Sequence, residues 1–133
     1  MILGLHHVGI AVEDLEAATE RYRRTLGIEP SHWERIEDQG VDEVLFDVGD
    51  SSIQLLGALG PDTPVGTFLG RRGPGLHHVA YTVDDVAASL ERLREEGVRL
   101  VDPVPRRGSR GTTIAFVHPG GMDGVLVELV QTG

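Results

Sequence analysis

Leu5-His6-His7-Val8 and Leu76-His77-His78-Val79 are the same four residues met twice in one chain, and each opens a similar segment. A shift of 71 positions lays residues 5–24 over residues 76–95. Ten of those 20 positions are then identical, including Val12/Val83, Asp14/Asp85, Ala17/Ala88, Glu20/Glu91, Arg21/Arg92 and Arg23/Arg94. Two copies at so long a period exclude a solenoid. The repeat predicts a chain built from two copies of one module, with a histidine at an equivalent place in each.

Each copy begins as a strand and continues as a helix. In 5–12, Leu5, His7, Gly9 and Ala11 alternate with His6, Val8, Ile10 and Val12, the period of a strand. Glu13-Asp14 then offers an N-cap, with carboxylates near the positive end of a helix dipole. Leu15, Ala18, Tyr22 and Leu26 follow at helical spacing, and Gly27 is a stop. The second copy repeats the pattern: His78, Ala80 and Thr82 alternate with Val79, Tyr81 and Val83. Asp84-Asp85 caps a helix with a Val86, Leu90 and Leu93 stripe that ends at Gly97.

Three strands are expected after each helix, at about 33–37, 44–48 and 52–56 in the first copy. In the second they are expected at 99–101, 113–118 and 126–131. The Gly- and Pro-rich segment 57–75 links the copies, with a short helical turn near 67–71. The fold class expected is α+β: one domain over 1–133, made of two pseudo-symmetric βαβββ modules at about 3–57 and 74–131. Their mixed sheet would form a cup around a metal site. Parity puts Val8, Ile10, Val12, Val79, Tyr81 and Val83 against the helices. The opposite faces carry a histidine followed by small residues, which leaves room for a ligand.

Composition bounds the function. The chain has 133 residues, 40% of them apolar and 25% charged, which is globular and large enough for a sizeable core. A net charge of −9 without blocks of like charge argues against nucleic acid or an anionic membrane as partner. The absence of cysteine removes disulfide frameworks, thiolate zinc sites and thiol catalysis. With no signal-like N-terminus and no apolar run of ~18 residues, a cytoplasmic protein is expected.

Two polar residues interrupt apolar strands late in each copy: Gln54 in Ile53-Gln54-Leu55 and Glu128 in Val127-Glu128-Leu129. A buried amide or carboxylate at mid-strand is costly unless it is paired or bound to a metal. Under pseudo-two-fold pairing, His7, Gln54, His78 and Glu128 would converge, a set that suits one divalent ion with positions open for substrate. Cobalt, zinc, manganese and nickel all accept such a set. His6 and His77 face the helix side and read as structural. His32 and His118 lack symmetric partners and are expected to serve a loop or turn.

These residues resemble the vicinal oxygen chelate (glyoxalase) superfamily and, within it, the methylmalonyl-CoA epimerases. The resemblance is carried by Leu5-His6-His7-Val8-Gly9-Ile10-Ala11-Val12-Glu13-Asp14-Leu15, Asp38-Gln39-Gly40-Val41 and Ser52-Ile53-Gln54-Leu55-Leu56. It continues in Gly75-Leu76-His77-His78-Val79-Ala80, Phe116-Val117-His118-Pro119 and Gly124-Val125-Leu126-Val127-Glu128-Leu129. It implies metal ligands at His7, Gln54, His78 and Glu128. It also implies an acidic partner at Glu43, with Asp42 beside it as the competing position. A homodimer acting on an acyl-CoA is implied as well.

The implied chemistry moves the C2 proton of a 2-methylmalonyl thioester from one face to the other. That calls for a stabilised enolate and an acid/base on each face, with Glu43 and Glu128 as candidates. The family alternatives are a glyoxalase I-type lactoylglutathione lyase and a bleomycin-resistance-like binding protein. Arg106, Arg107 and Arg110, before the strand at 113–118, are candidates to meet CoA phosphates. A solvated loop with no ligand is the competing reading of these three.

Overall fold

The computed structural model describes all residues, Met1–Gly133. The first strands and helix are β1 (Ile2–Val12), α1 (Leu15–Leu26), β2 (His32–Ile36), β3 (Val41–Val48) and β4 (Ser51–Ala58). They are followed by α2 (Pro64–Arg72), β5 (Gly75–Val83), α3 (Val86–Glu95), β6 (Arg106–Arg107), β7 (Thr113–Val117) and β8 (Val127–Gln131). The chain forms two compact units, His7–His77 and Met1–His6 together with His78–Gly133. Each unit carries the expected β-α-β-β-β order.

Local chemistry sets the helix ends. Asp14 accepts from the Ala17 N–H at 3.0 Å, and Asp85 accepts from the Ala88 N–H at 3.0 Å, so the repeated aspartates do the same work in both copies. Gly27 stops α1 in the left-handed region at φ 65°, which a side chain would resist.

In the His7–His77 unit the strand order is β2-β3-β4-β1, with β1 parallel to β4 and the other pairs antiparallel. One face packs on α1 through Val12, Ala18, Val44, Phe46 and Leu55, with Ile10, Leu15 and Tyr22 around them. The Tyr22 and Phe46 rings stack at 6.0 Å. At one end of the other face Ala11, Ile36, Val41 and Leu56 meet Val65, Phe68 and Leu69 of α2, and Leu45 is buried opposite Gln54.

In the other unit the order is β5-β8-β7-β6, with β5 parallel to β8. Val83, Val86, Leu90, Ala115, Val117, Val127 and Leu129 bury against α3. Ala80, Ile114, Phe116 and Val130 form a smaller cluster on the opposite side. Each large apolar side chain so buried contributes roughly 1.5–3 kcal/mol, enough to hold the helix faces without help from the polar ones.

Three expectations need correction. Residues 99–101 are not a strand: Leu100 makes one isolated bridge to Val117, and the strand that pairs with β7 is Arg106–Arg107. Pro103 and Pro105 lie between them and lack the N–H that a continuous ladder needs. Arg106 and Arg107 therefore sit in a strand rather than a loop, and only Arg110 lies in a turn, at φ 54°. The helical turn expected near 67–71 is the longer helix α2, started by Thr63, whose Oγ1 accepts from Gly66 N–H at 3.0 Å, and by Pro64.

The first strand after α1 ends at Ile36, because Glu37–Gln39 wind into a 3-10 turn closed by Gly40 at φ 69°.

Candidate active site

In the His7–His77 unit the register decides which side chains share the face away from α1. Gly9 lies opposite Gln54 and His7 opposite Ser52; Gln54 lies opposite Leu45, and Leu56 opposite Glu43. Glu43 in turn faces Glu34, and Leu45 faces His32. With a side-chain period of two, His7, Gln54, Glu43, Glu34 and His32 all fall on one face. His7 and Gln54 are buried, and Glu43 is 0% exposed.

Packing does not explain this row. Gln54 Nε2 donates to Glu43 Oε1 at 2.5 Å, while the buried Gln54 Oε1 accepts no hydrogen bond from the protein. His32 Nε2 lies 2.8 Å from Glu34 Oε1, and single ligand atoms of His32, Glu34 and Glu43 fall within 4.8 Å of one another.

Asp42 and Glu43 differ in their surroundings. Asp42 points to the other face, where Arg35 Nε and Nη2 donate to its two oxygens at 2.7 and 2.9 Å. That bidentate hydrogen bond holds the Asp42 carboxyl below its ordinary pKa, against a smaller opposing effect of desolvation. Asp42 is an Arg-paired surface charge, and Glu43 is the buried carboxylate.

In the other unit Glu128 lies between Ala80 on β5 and Phe116 on β7, and His78 precedes Ala80 by two residues. Both are buried, at 3% for His78 and 5% for Glu128. His78 Nε2 stands 3.2 Å from Glu128 Oε1, and the His78 ring meets the edge of Phe116 at 5.4 Å. The Arg106 guanidinium covers the same Phe116 at 5.7 Å. Asp102 holds it there, 3.3 Å from Arg106 Nε, while accepting from Phe116 N–H at 2.8 Å. Arg107 and Arg110 are exposed.

The remaining histidines divide. His118 Nδ1 accepts from Gly120 N–H at 2.9 Å and serves a turn, as expected. His77 packs edge-on against Phe68 of α2 at 5.0 Å, so it meets the linker helix. His32 departs from expectation: it is a strand residue on the polar face, paired with Glu34. Its alternation with Trp33 and Arg35 was the available signal, but that signal needs the β2–β3 register to become useful.

Residues 6–116 match a family model described as the Glyoxalase/Bleomycin resistance protein/Dioxygenase superfamily. The chain is 41% identical over 133 residues to an ethylmalonyl-CoA/methylmalonyl-CoA epimerase of Cereibacter sphaeroides, covering 98% of this chain and 99% of the relative. The crystal structure of methylmalonyl-CoA epimerase from Mycobacterium tuberculosis is similar with a TM-score of 0.95 and 43% identity, covering 99% of this chain and 89% of that one. A methylmalonyl-CoA epimerase in complex with methylmalonyl-CoA and NH4+ is similar at 0.95 and 42% identity, covering 100% and 96%.

Proposed function

We propose that this chain, which belongs to the glyoxalase/bleomycin resistance protein/dioxygenase superfamily and within it to the methylmalonyl-CoA epimerases, interconverts (2R)- and (2S)-methylmalonyl-CoA. The observation that carries the reading is the buried Glu43–Gln54 pair on the face that bears His7. A fully buried carboxylate held by an amide has no value as packing, and it suits a proton acceptor screened from water.

One divalent ion is assigned to His7, Gln54, His78 and Glu128. Two features support the fit: the buried Gln54 Oε1 that accepts nothing from the protein, and the 3.2 Å between His78 Nε2 and Glu128 Oε1. That spacing suits two donors that each lie about 2.0–2.2 Å from one ion. Bound there, the ion would stabilise the negative charge that develops on the thioester oxygen when C2 loses its proton. Cobalt, zinc, manganese and nickel all match this nitrogen and oxygen set.

The chain's own groups move the proton. Glu43 takes the C2 proton from one epimer and later releases it to solvent, the C–H electron pair passes into the enolate, and Glu128 takes up a solvent proton and delivers it to the opposite face of C2. With neutral imidazoles and an amide, only Glu128 offsets the ion, which favours a substrate bearing a free carboxylate. A lactoylglutathione lyase reading is disfavoured at Gln54. A second carboxylate there, as in the glyoxalases this fold resembles, would stand against Glu43 at hydrogen-bond distance, and like charges so placed cannot both ionise. A binding module without catalysis leaves the two buried carboxylates unused.

The reading extends to one domain over 1–133, a homodimer, and the cytoplasm, where acyl-CoA substrates are met. No helix of the chain is long and apolar enough to cross a membrane.

Arg106, Arg107 and Arg110 are proposed to meet the CoA phosphates, with Arg107 and Arg110 exposed and Arg106 fixed by Phe116 and Asp102. Replacing all three by Ser is expected to raise KM for the CoA thioester several-fold with little change in kcat. An unchanged KM removes them from the CoA site. The function itself is tested by incorporation of solvent deuterium at C2 during epimerisation.

A further inference from the structure

A carboxamide carries a donor end and an acceptor end of nearly the same shape, so a buried one must be told which way to face. Gln54 is buried at mid-strand in β4, and its two ends meet different surroundings. Nε2 donates to Glu43 Oε1 at 2.5 Å, and Oε1 accepts nothing from the protein. Across β1 the residue opposite is Gly9, which has no side chain to bond, and His7 precedes it by two residues on the same face. An ionised carboxylate can only accept hydrogen bonds, so Glu43 can face only the NH2 end of the amide.

We propose that Glu43 is the positioning residue for Gln54: its carboxylate fixes the amide so that Oε1, not Nε2, is presented to the divalent cation. The inference rests on the ligand set assigned above and gives Glu43 a role separate from its proton transfer. Without Glu43 the amide is free to turn over, presenting N–H donors that repel a cation. Outer partners of this kind orient a ligand, and their loss typically weakens metal binding by about 10–100-fold.

The test is Co2+ affinity, measured by calorimetry on chelator-treated full-length protein without substrate, so that turnover plays no part. Glu43→Gln retains a carbonyl that can accept from Gln54 Nε2 and is expected to bind within about threefold of the parent. Glu43→Met fills the space without an acceptor and is expected to bind about 10–100-fold more weakly. In the Gln54→Ala background, Glu43→Met should cost nothing more, because the positioned group is already gone.

Binding by Glu43→Met within threefold of the parent overturns the inference and leaves the ligand assignment standing. So does an equal loss in the Gln54→Ala background. A parent that binds no Co2+ overturns the ligand assignment and the inference together. If far-UV circular dichroism shows the Met variant unfolded, Glu43→Leu makes the same comparison.

Discussion

Glu43→Gln is expected to slow epimerisation of methylmalonyl-CoA by roughly 10²–10⁴, the usual worth of a positioned general base. The substitution keeps the shape of a side chain that is 0% exposed and keeps an acceptor for Gln54, so the ion should remain bound. What it removes is the capacity to take a proton. The loss should be uneven: exchange of the C2 proton from the epimer served by Glu128 should survive in part, because that half of the reaction does not use Glu43. Asp42 cannot take over, since it faces away and is held by Arg35. Epimerisation within about threefold of the parent would return Glu43 to a structural role, with water as the second acid.

His78→Ala is expected to remove the ion and, with it, most of the activity. The parent, prepared without chelators, should carry about one divalent ion per chain by elemental analysis. The variant loses an imidazole whose Nε2 stands 3.2 Å from Glu128 Oε1, and it leaves a buried carboxylate without that neighbour. The drop in turnover should be at least about 10²–10³, comparable to the loss of one charge-stabilising donor elsewhere. Full metal content in His78→Ala would show that the four-residue ligand set is wrong.

The parts of this molecule that were legible in the sequence are those governed by local chemistry. Asp14 and Asp85 bond to an N–H three residues on, so both helix starts could be read from the repeat alone. Strand parity separated His7 and His78 from His6 and His77 for the same reason. The parts that were hidden depend on long-range register or on interruptions. The segment read as a strand at 99–101 makes only one bridge, and the ladder to β7 forms beyond Pro103 and Pro105 at Arg106–Arg107, a shift that hydrophobic periodicity does not show.

The start signal of α2, Thr63-Pro64, lay inside a Gly- and Pro-rich stretch that reads as linker. His32 joins the polar face only because β2 and β3 pair with His32 opposite Leu45, a register set by the turn at Glu37–Gln39 and Gly40. The Arg35 pairing of Asp42, beside the buried Glu43, is likewise something that sequence spacing does not reveal.

The central claim, proton removal and return at one carbon, is tested most directly in deuterated water. Either epimer of methylmalonyl-CoA, supplied alone, should be converted toward a mixture of both, with solvent deuterium appearing at C2 at a rate that tracks epimerisation. Mass spectrometry of the acyl group with a stereospecific assay of each epimer gives both readings from one sample. If C2 stays protonated and the supplied epimer persists, while the hemithioacetal of glutathione and methylglyoxal is turned over, the chain is a lyase of the same fold and the account given for Glu43 and Gln54 is wrong.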